Sequence, residues 1–385
     1  MRADTRLESY PELETAGQVV QAIRDGQGRM DERAGLRPEL ATHLKQQGLF
    51  RLLLPAEFGG SELSLPRYIR VVEMIAQADG SAGWCVGQGG VFPNLADRMT
   101  EEAASDIWRA NPDAVVATGS PTGSTALETA DGFRMNGRWR FASGIMHADW
   151  LAAMAPTVND AGDTTGFGMF LVPRDDVVLG DGWNVRGLRG TASRDYQLQD
   201  YVVPRYRSMR GPVLRTHCGI ATGLPAMLLF ASAFGSVGLG IARRAIDELY
   251  NVVEGKTPFS TSRALRDDDM VHVGVAQAEA MWGSARAYLR EMAETCEYDH
   301  RRSGEVAQAA RARLRLAATN AMREAGRAVD KVYELAGSDV IFDDHPIHRC
   351  FQDVRALTQQ IQARPAHFRT VGRVLMGLDP DNPMV

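Results

Sequence analysis

The side chains that could do chemistry in this sequence are few, and the acids are missing from two long stretches. His367 stands in Arg364-Pro365-Ala366-His367-Phe368, and an imidazole with a reference pKa of ~6.5 can take or give a proton near neutral pH. No Asp or Glu occurs between Asp353 and Asp379, nor between Asp200 and Asp247, so neither stretch can supply a carboxylate base. His345 and His348 are three apart, but Pro346 between them argues against one helical face aiming both at an ion, and no metal site is expected. The four cysteines, Cys85, Cys218, Cys296 and Cys350, include no Cys-x-x-Cys pair. That gives no disulfide framework and suits a reducing compartment.

The elements that must position these groups fall into three textures. From Glu12 to about Arg109 the pattern is helical, with Val19, Val20 and Ile23 on one stripe and Leu40, Leu44 and Leu49 on another. Pro66, preceded by Ser64, opens a helix that reaches Ile75. Between about Asn111 and Arg210 the turn pairs Asp131-Gly132, Asn136-Gly137 and Asp181-Gly182 punctuate short apolar runs, the signature of β structure. Phe133, Met135, Trp139 and Phe141 alternate with polar residues around Asn136-Gly137, which reads as a hairpin turn with one face buried.

After Arg215 the helical period returns. Leu314, Ala317, Ala321, Ala325, Ala328, Val332 and Leu335 mark one face of a long helix that Gly337 ends. Only neighbours of similar length can cover that stripe, so a bundle is expected. The glycines of Gly235-Ser236-Val237-Gly238-Leu239-Gly240 have helical surroundings on both sides and read as close helix contacts, not as a phosphate loop. The fold class is α+β, with residues 1–112 helical, 113–212 a sheet, and 213–385 a bundle of long helices.

Composition bounds the function. Apolar residues at 44% and charged ones at 24% exclude disordered and fibrous classes. A net charge of -5 offers no basic face for nucleic acid. Met1 to Tyr10 has no apolar core of the signal-peptide kind, so a cytoplasmic protein is expected. The charge-free stretch from Arg215 to Arg243 is long enough to cross a bilayer, but its Gly, Ala, Ser and Pro content reads as a buried bundle helix.

Several motifs in order carry a resemblance that spans nearly the whole chain. They are Gly80-Ser81-Ala82-Gly83-Trp84-Cys85, Gly137-Arg138-Trp139-Arg140-Phe141-Ala142-Ser143-Gly144 followed by Trp150, Gly187-Leu188-Arg189-Gly190-Thr191-Ala192-Ser193, and Leu335-Ala336-Gly337-Ser338 with His348-Arg349-Cys350-Phe351-Gln352-Asp353. Together they resemble the acyl-CoA dehydrogenase superfamily, and within it the flavin-dependent monooxygenases that take reduced flavin, FADH2 or FMNH2, from a separate reductase.

The resemblance implies that Phe141 flanks the flavin ring and Ser143 approaches its N5 edge, with Gly144, Thr118, Arg263 and Gly337 as further cofactor contacts. Arg263, with Lys256 and Arg266, could bind a second phosphate or face solvent, so FAD and FMN stay open. Trp84 could line the substrate pocket or simply pack. The family's dehydrogenases need a carboxylate base over the flavin, and both of its known seats fall in the acid-free stretches, with Gln360 and Ile361 near one of them. Oxygenation is therefore expected: O2 adds to reduced flavin to give a C4a-hydroperoxide, and an aromatic substrate is hydroxylated with His367 raising its nucleophilicity. The resemblance also implies a middle β-barrel or sheet domain, a C-terminal four-helix bundle and a homotetramer.

Overall fold

The computed structural model describes residues 10–33, 35–209, 223–259 and 261–381, without the side chains of 27–33. Cys218, Arg215 and the expected boundary near residue 212 lie outside the described residues. Helices come first: α1 (Pro11–Arg33), α2 (Pro38–Gln46), α3 (Leu65–Ala78), α4 (Gly80–Gly89) and the short α5 (Glu101–Ala104). α3 carries its proline in the first turn after Ser64, where a missing N–H costs nothing. Asp79 separates α3 from α4 and caps α4, its side chain accepting from the Ala82 amide at 2.9 Å.

Strands follow: β1 (Val116–Ala117), β2 (Ser120–Glu128), β3 (Gly132–Ala142), β4 (Trp150–Val158), β5 (Thr164–Pro173), β6 (Val178–Leu179), β7 (Arg194–Pro204) and β8 (Ser208–Met209). They form one open sheet in the order β6-β7-β3-β2-β4-β5-β8, with β1 added beside β4, and it does not close into a barrel. Phe133, Met135, Trp139, Tyr196 and Phe170 fill its buried face.

Asn136-Gly137 is not a hairpin turn. β3 runs straight through it, and the turn sits earlier, where the Thr129 amide bonds the Gly132 carbonyl. At Gly137 the pairing slips on both neighbours, between Thr122 and Thr125 and between Met135 and Gly137. Its φ is +137°, and a Cβ there would lie 2.4 Å from Ser124 Cα. The glycine serves a bulge and a close approach of β2, which carry the same local signature as a turn.

The bundle comprises α6 (Ala226–Gly255), α7 (Asp269–Ser303) and α8 (Gln308–Ala336), with α9 (Pro346–Gln359) and α10 (Ala366–Leu375) packed on it. The expected α8 stripe is fully buried from Leu314 to Val332, and Leu335 at its end is half-buried. α6 is long and apolar enough to cross a membrane by composition, yet 78% of its most apolar window is covered inside the fold. Small residues allow that covering: a Cβ at Gly240 would lie 2.4 Å from the Glu73 carbonyl of α3, and one at Gly238 3.2 Å from Ala325 of α8. One apolar core runs through the N-terminal helices and the bundle without interruption.

Candidate active site

Among the described residues five that are not glycine adopt positive φ: Glu62, Phe141, Leu188, Ala192 and Asp200. Side chains rarely tolerate that conformation, and it persists where surrounding structure enforces it, commonly at functional sites. Three of the five gather round Ser143. Phe141 lies where the β3–β7 pairing slips between Trp139 and Ala142, and this turns its ring outward to 50% exposure. Strict alternation along the strand places Phe141 in the core with Trp139; the bulge overrides it.

The Phe141 ring has Arg140 4.8 Å from its centroid and meets Trp183 edge-on at 6.2 Å. Ser143 follows in a tight turn, fixed by the Gly144 amide bonding the Thr191 carbonyl at 2.8 Å. Its Oγ lies 2.7 Å from Ser193 Oγ, which lies 2.7 Å from Thr191 Oγ1, and Thr191 donates to the Leu188 carbonyl at 2.9 Å.

Residues 187–193 then tie this group to the helices. The Gly190 amide donates to Ser81 Oγ on α4 at 3.1 Å, and the Leu188 amide to Asp353 on α9 at 2.6 Å. One turn beyond Ser81, Trp84 stacks on Phe234 of α6 with centroids 4.1 Å apart, and its indole N–H donates to Gln88 at 3.1 Å. Every residue of α4 is buried, so an apolar aromatic wall adjoins the loop.

The carboxylates that reach this group are already engaged. Asp195 accepts from Arg138 at 2.6 Å and from the Phe141 amide at 3.3 Å. Asp353 holds the Leu188 amide. Asp79 caps α4 and pairs with Arg349 at 2.9 Å. A carboxylate committed in this way is a poor base for a carbon-bound proton.

Two family models match the chain, "Acyl-CoA dehydrogenase, N-terminal domain" over residues 14–107 and "Acyl-CoA dehydrogenase, C-terminal domain" over residues 232–365. An indole-3-acetate monooxygenase from Pseudomonas putida is 31% identical over 381 residues, 95% of each chain. The chain belongs to the acyl-CoA dehydrogenase superfamily, in its flavin-dependent monooxygenase branch. The crystal structure of 3-HSA hydroxylase from Rhodococcus sp. RHA1 superposes on this monooxygenase with a TM-score of 0.90 at 25% identity, covering 98% of this chain and 100% of the other. The structure of XiaF from Streptomyces sp. in complex with FADH2 and glycerol matches at 0.92 with 20% identity and 97% of both chains.

The site of the monooxygenase fits a flavin ring. A half-exposed aromatic in a forced backbone conformation stands beside a buried hydroxyl, which together offer an apolar flank and a polar edge. The structure brings Phe141, Ser143 and Gly144 together, with Trp84 one helical turn from the residue that anchors their loop. Thr118 is half-buried and uses its hydroxyl on the Ala152 carbonyl at 2.7 Å.

Arg263 and Gly337 lie elsewhere, where α6 ends, α7 begins and α8 ends. Arg263 is exposed and reaches Asp269 at 3.3 Å. Gly337 ends α8 at φ +76°, where Lys256 bonds the Ala336 carbonyl at 2.8 Å. His345 caps α9, and His348 contacts Tyr333 and Gln352.

His367 is buried in α10, and its Nε2 lies 2.9 Å from the Ile361 carbonyl, so that nitrogen carries the proton and donates. Burial foremost, with the charges of Arg315 and Arg364, holds its pKa below the usual value despite that bond. That bond fastens the Ile361 carbonyl to α10. Reasoning from sequence gave no role to Ser193, Thr191, Ser81 or Asp353. The motifs Gly80-to-Cys85, Gly187-to-Ser193 and His348-to-Asp353 contained them, but hydroxyls in a row across a loop leave no periodic trace that assigns a role.

Proposed function

We propose that the chain is the oxygenase component of a two-component system, taking reduced FAD or FMN from a separate reductase and using O2 to hydroxylate a small aromatic or fused-ring substrate. The observation that carries this reading is the pairing of an exposed Phe141 with the buried Ser143 hydroxyl, beside carboxylates that are all committed. When bound, reduced flavin supplies the electrons that activate O2, so that one oxygen atom enters the substrate ring and the other leaves as water.

The chain's own residues do the rest. Phe141 flanks the ring and Ser143 meets its N5 edge. Trp84 and Phe234 offer an aromatic substrate an apolar wall, which recognises a ring by area and stacking geometry. The buried α4 and the apolar core around it keep water from the reacting atoms. His367 holds the Gln360–Ala363 turn in place. Arg263 and Gly337 serve the flavin of a neighbouring copy in a homotetramer, in keeping with their distance in sequence and contacts from Ser143. A cytoplasmic setting belongs to this reading, in keeping with cysteines that stand far apart in sequence with no Cys-x-x-Cys pair.

The test supplies the purified chain with chemically reduced FAD or FMN, air and a panel of phenols and indoles. Hydroxylated product that depends on reduced flavin is expected. Oxidation of an acyl-CoA thioester with a dye acceptor, and no hydroxylation, would overturn the proposal.

A further inference from the structure

Three buried hydroxyls run in line from the sheet into the loop, and their end fixes the direction of every hydrogen bond. Ser143, Ser193 and Thr191 are 7%, 4% and 1% exposed. A hydroxyl has one proton to give, whereas a carbonyl can only accept. The 2.9 Å contact between Thr191 Oγ1 and the Leu188 carbonyl therefore uses the Thr191 proton. Thr191 can then meet Ser193 only as an acceptor, so Ser193 donates to it across 2.7 Å. With the Ser193 proton engaged, the 2.7 Å contact to Ser143 exists only if Ser143 donates. The anchor itself is held: the Leu188 carbonyl also accepts from the Thr191 amide at 3.2 Å and from the Trp183 indole at 3.3 Å.

We infer that Ser193 and Thr191 are positioning residues that turn the Ser143 proton inward and leave its oxygen as a pure acceptor toward the cofactor. This rests on the reading above that Ser143 meets the flavin N5 edge. A reduced flavin carries a hydrogen on N5, whereas an oxidised one presents a lone pair there. An acceptor pairs with the first and opposes the second. The seat thus prefers the cofactor that arrives from the reductase and releases the one that must return to it, and the preference is set by proton direction, with no added charge.

The test measures dissociation constants of reduced and oxidised FAD and FMN, anaerobically, for the full-length wild type and for T191V, T191S and S193A. T191V keeps the side chain's shape and removes the end of the relay, so the Ser193 and Ser143 protons can turn outward. S193A breaks the relay in its middle, and serves should T191V fold poorly. In T191V and S193A the preference for reduced over oxidised flavin is expected to fall about tenfold, the worth of one hydrogen bond. T191S keeps a hydroxyl at the anchor and should retain the wild-type preference. If the two relay-breaking variants bind reduced flavin with an unchanged preference, the relay is wrong and the functional reading stands. If the wild type binds neither form, the functional reading fails and the inference with it.

Discussion

The Leu188 amide and the Asp353 carboxylate, 165 positions apart in sequence, meet at 2.6 Å and join the sheet's loop to the bundle. Both are buried, and Leu188 sits in a left-handed conformation that nothing local explains. Asp353→Ala leaves that amide buried without its acceptor, at a cost of about 1–3 kcal/mol. The expected result is a lower melting temperature together with weaker binding of reduced flavin, since the same loop holds Ser143. Asp353→Asn keeps an acceptor oxygen and should recover most of both. Unchanged flavin binding in Asp353→Ala would detach the loop from the site.

Gly187 approaches α9 still more closely. A Cβ there would lie 2.0 Å from the Gln352 carbonyl oxygen, which is backbone and has no side-chain freedom to yield. Gly187→Ala should therefore destabilise the protein by about 2–3 kcal/mol and displace residues 187–193. Gly182, five residues earlier, has nothing within 4 Å of its would-be Cβ and is the matched control. Equal denaturation midpoints for Gly187→Ala and Gly182→Ala would contradict the packing described.

His147 follows Ser143 in the same turn. Its Nε2 is shielded without a partner, and burial, with the Lys45 charge, pushes its pKa down to about 3. The unfolded chain, with a histidine pKa of ~6.5, binds more protons over the interval between these values. His147 therefore contributes stability above about pH 6.5 that drains away as the pH falls toward 3, by up to about 1.4 kcal/mol per unit. Denaturation of wild type and His147→Gln at pH 7.5 and 5.5 measures this. The variant should lose less stability between the two, and equal losses would show that His147 is not held neutral.

His367 is tested by separating stability from chemistry. His367→Phe removes the donor to the Ile361 carbonyl and should cost about 1–3 kcal/mol of stability. If the residue positions Gln360 and Ile361, the loss of turnover should come with altered substrate affinity and be repaired in part by Gln, which can still donate. A stable variant whose kcat alone collapses, with no rescue by Gln, would assign proton transfer to His367 itself.

Much of the scaffold was legible because it is periodic. The α8 stripe and the glycines at 235, 238 and 240 announce helices that pack closely, and the structure shows those contacts. The ordered motifs also contain Phe141, Ser143 and the 187–193 loop, which the structure draws into one group. What the sequence concealed depends on partners far along the chain. Asn136-Gly137 carries a turn signature, yet Ser124 on the neighbouring strand makes it a bulge. Phe141 alternates as a core residue, yet a slip against β7 exposes it. Ser193 and Thr191 depend on where Leu188 points its carbonyl, and the Leu188 amide is bonded by Asp353, 165 positions away.

If the carboxylates near Ser143 are committed and the chain oxygenates its substrate, the inserted oxygen atom comes from O2, and isotope labelling follows that atom. The chain, anaerobically reduced flavin and an accepted aromatic substrate are mixed under 18O2, and the product is weighed by mass spectrometry. One 18O atom is expected in the hydroxylated product, and none when the label is supplied as H2 18O. A product that takes its oxygen from water, or substrate that is dehydrogenated with no oxygen gained, would contradict oxygenation from O2.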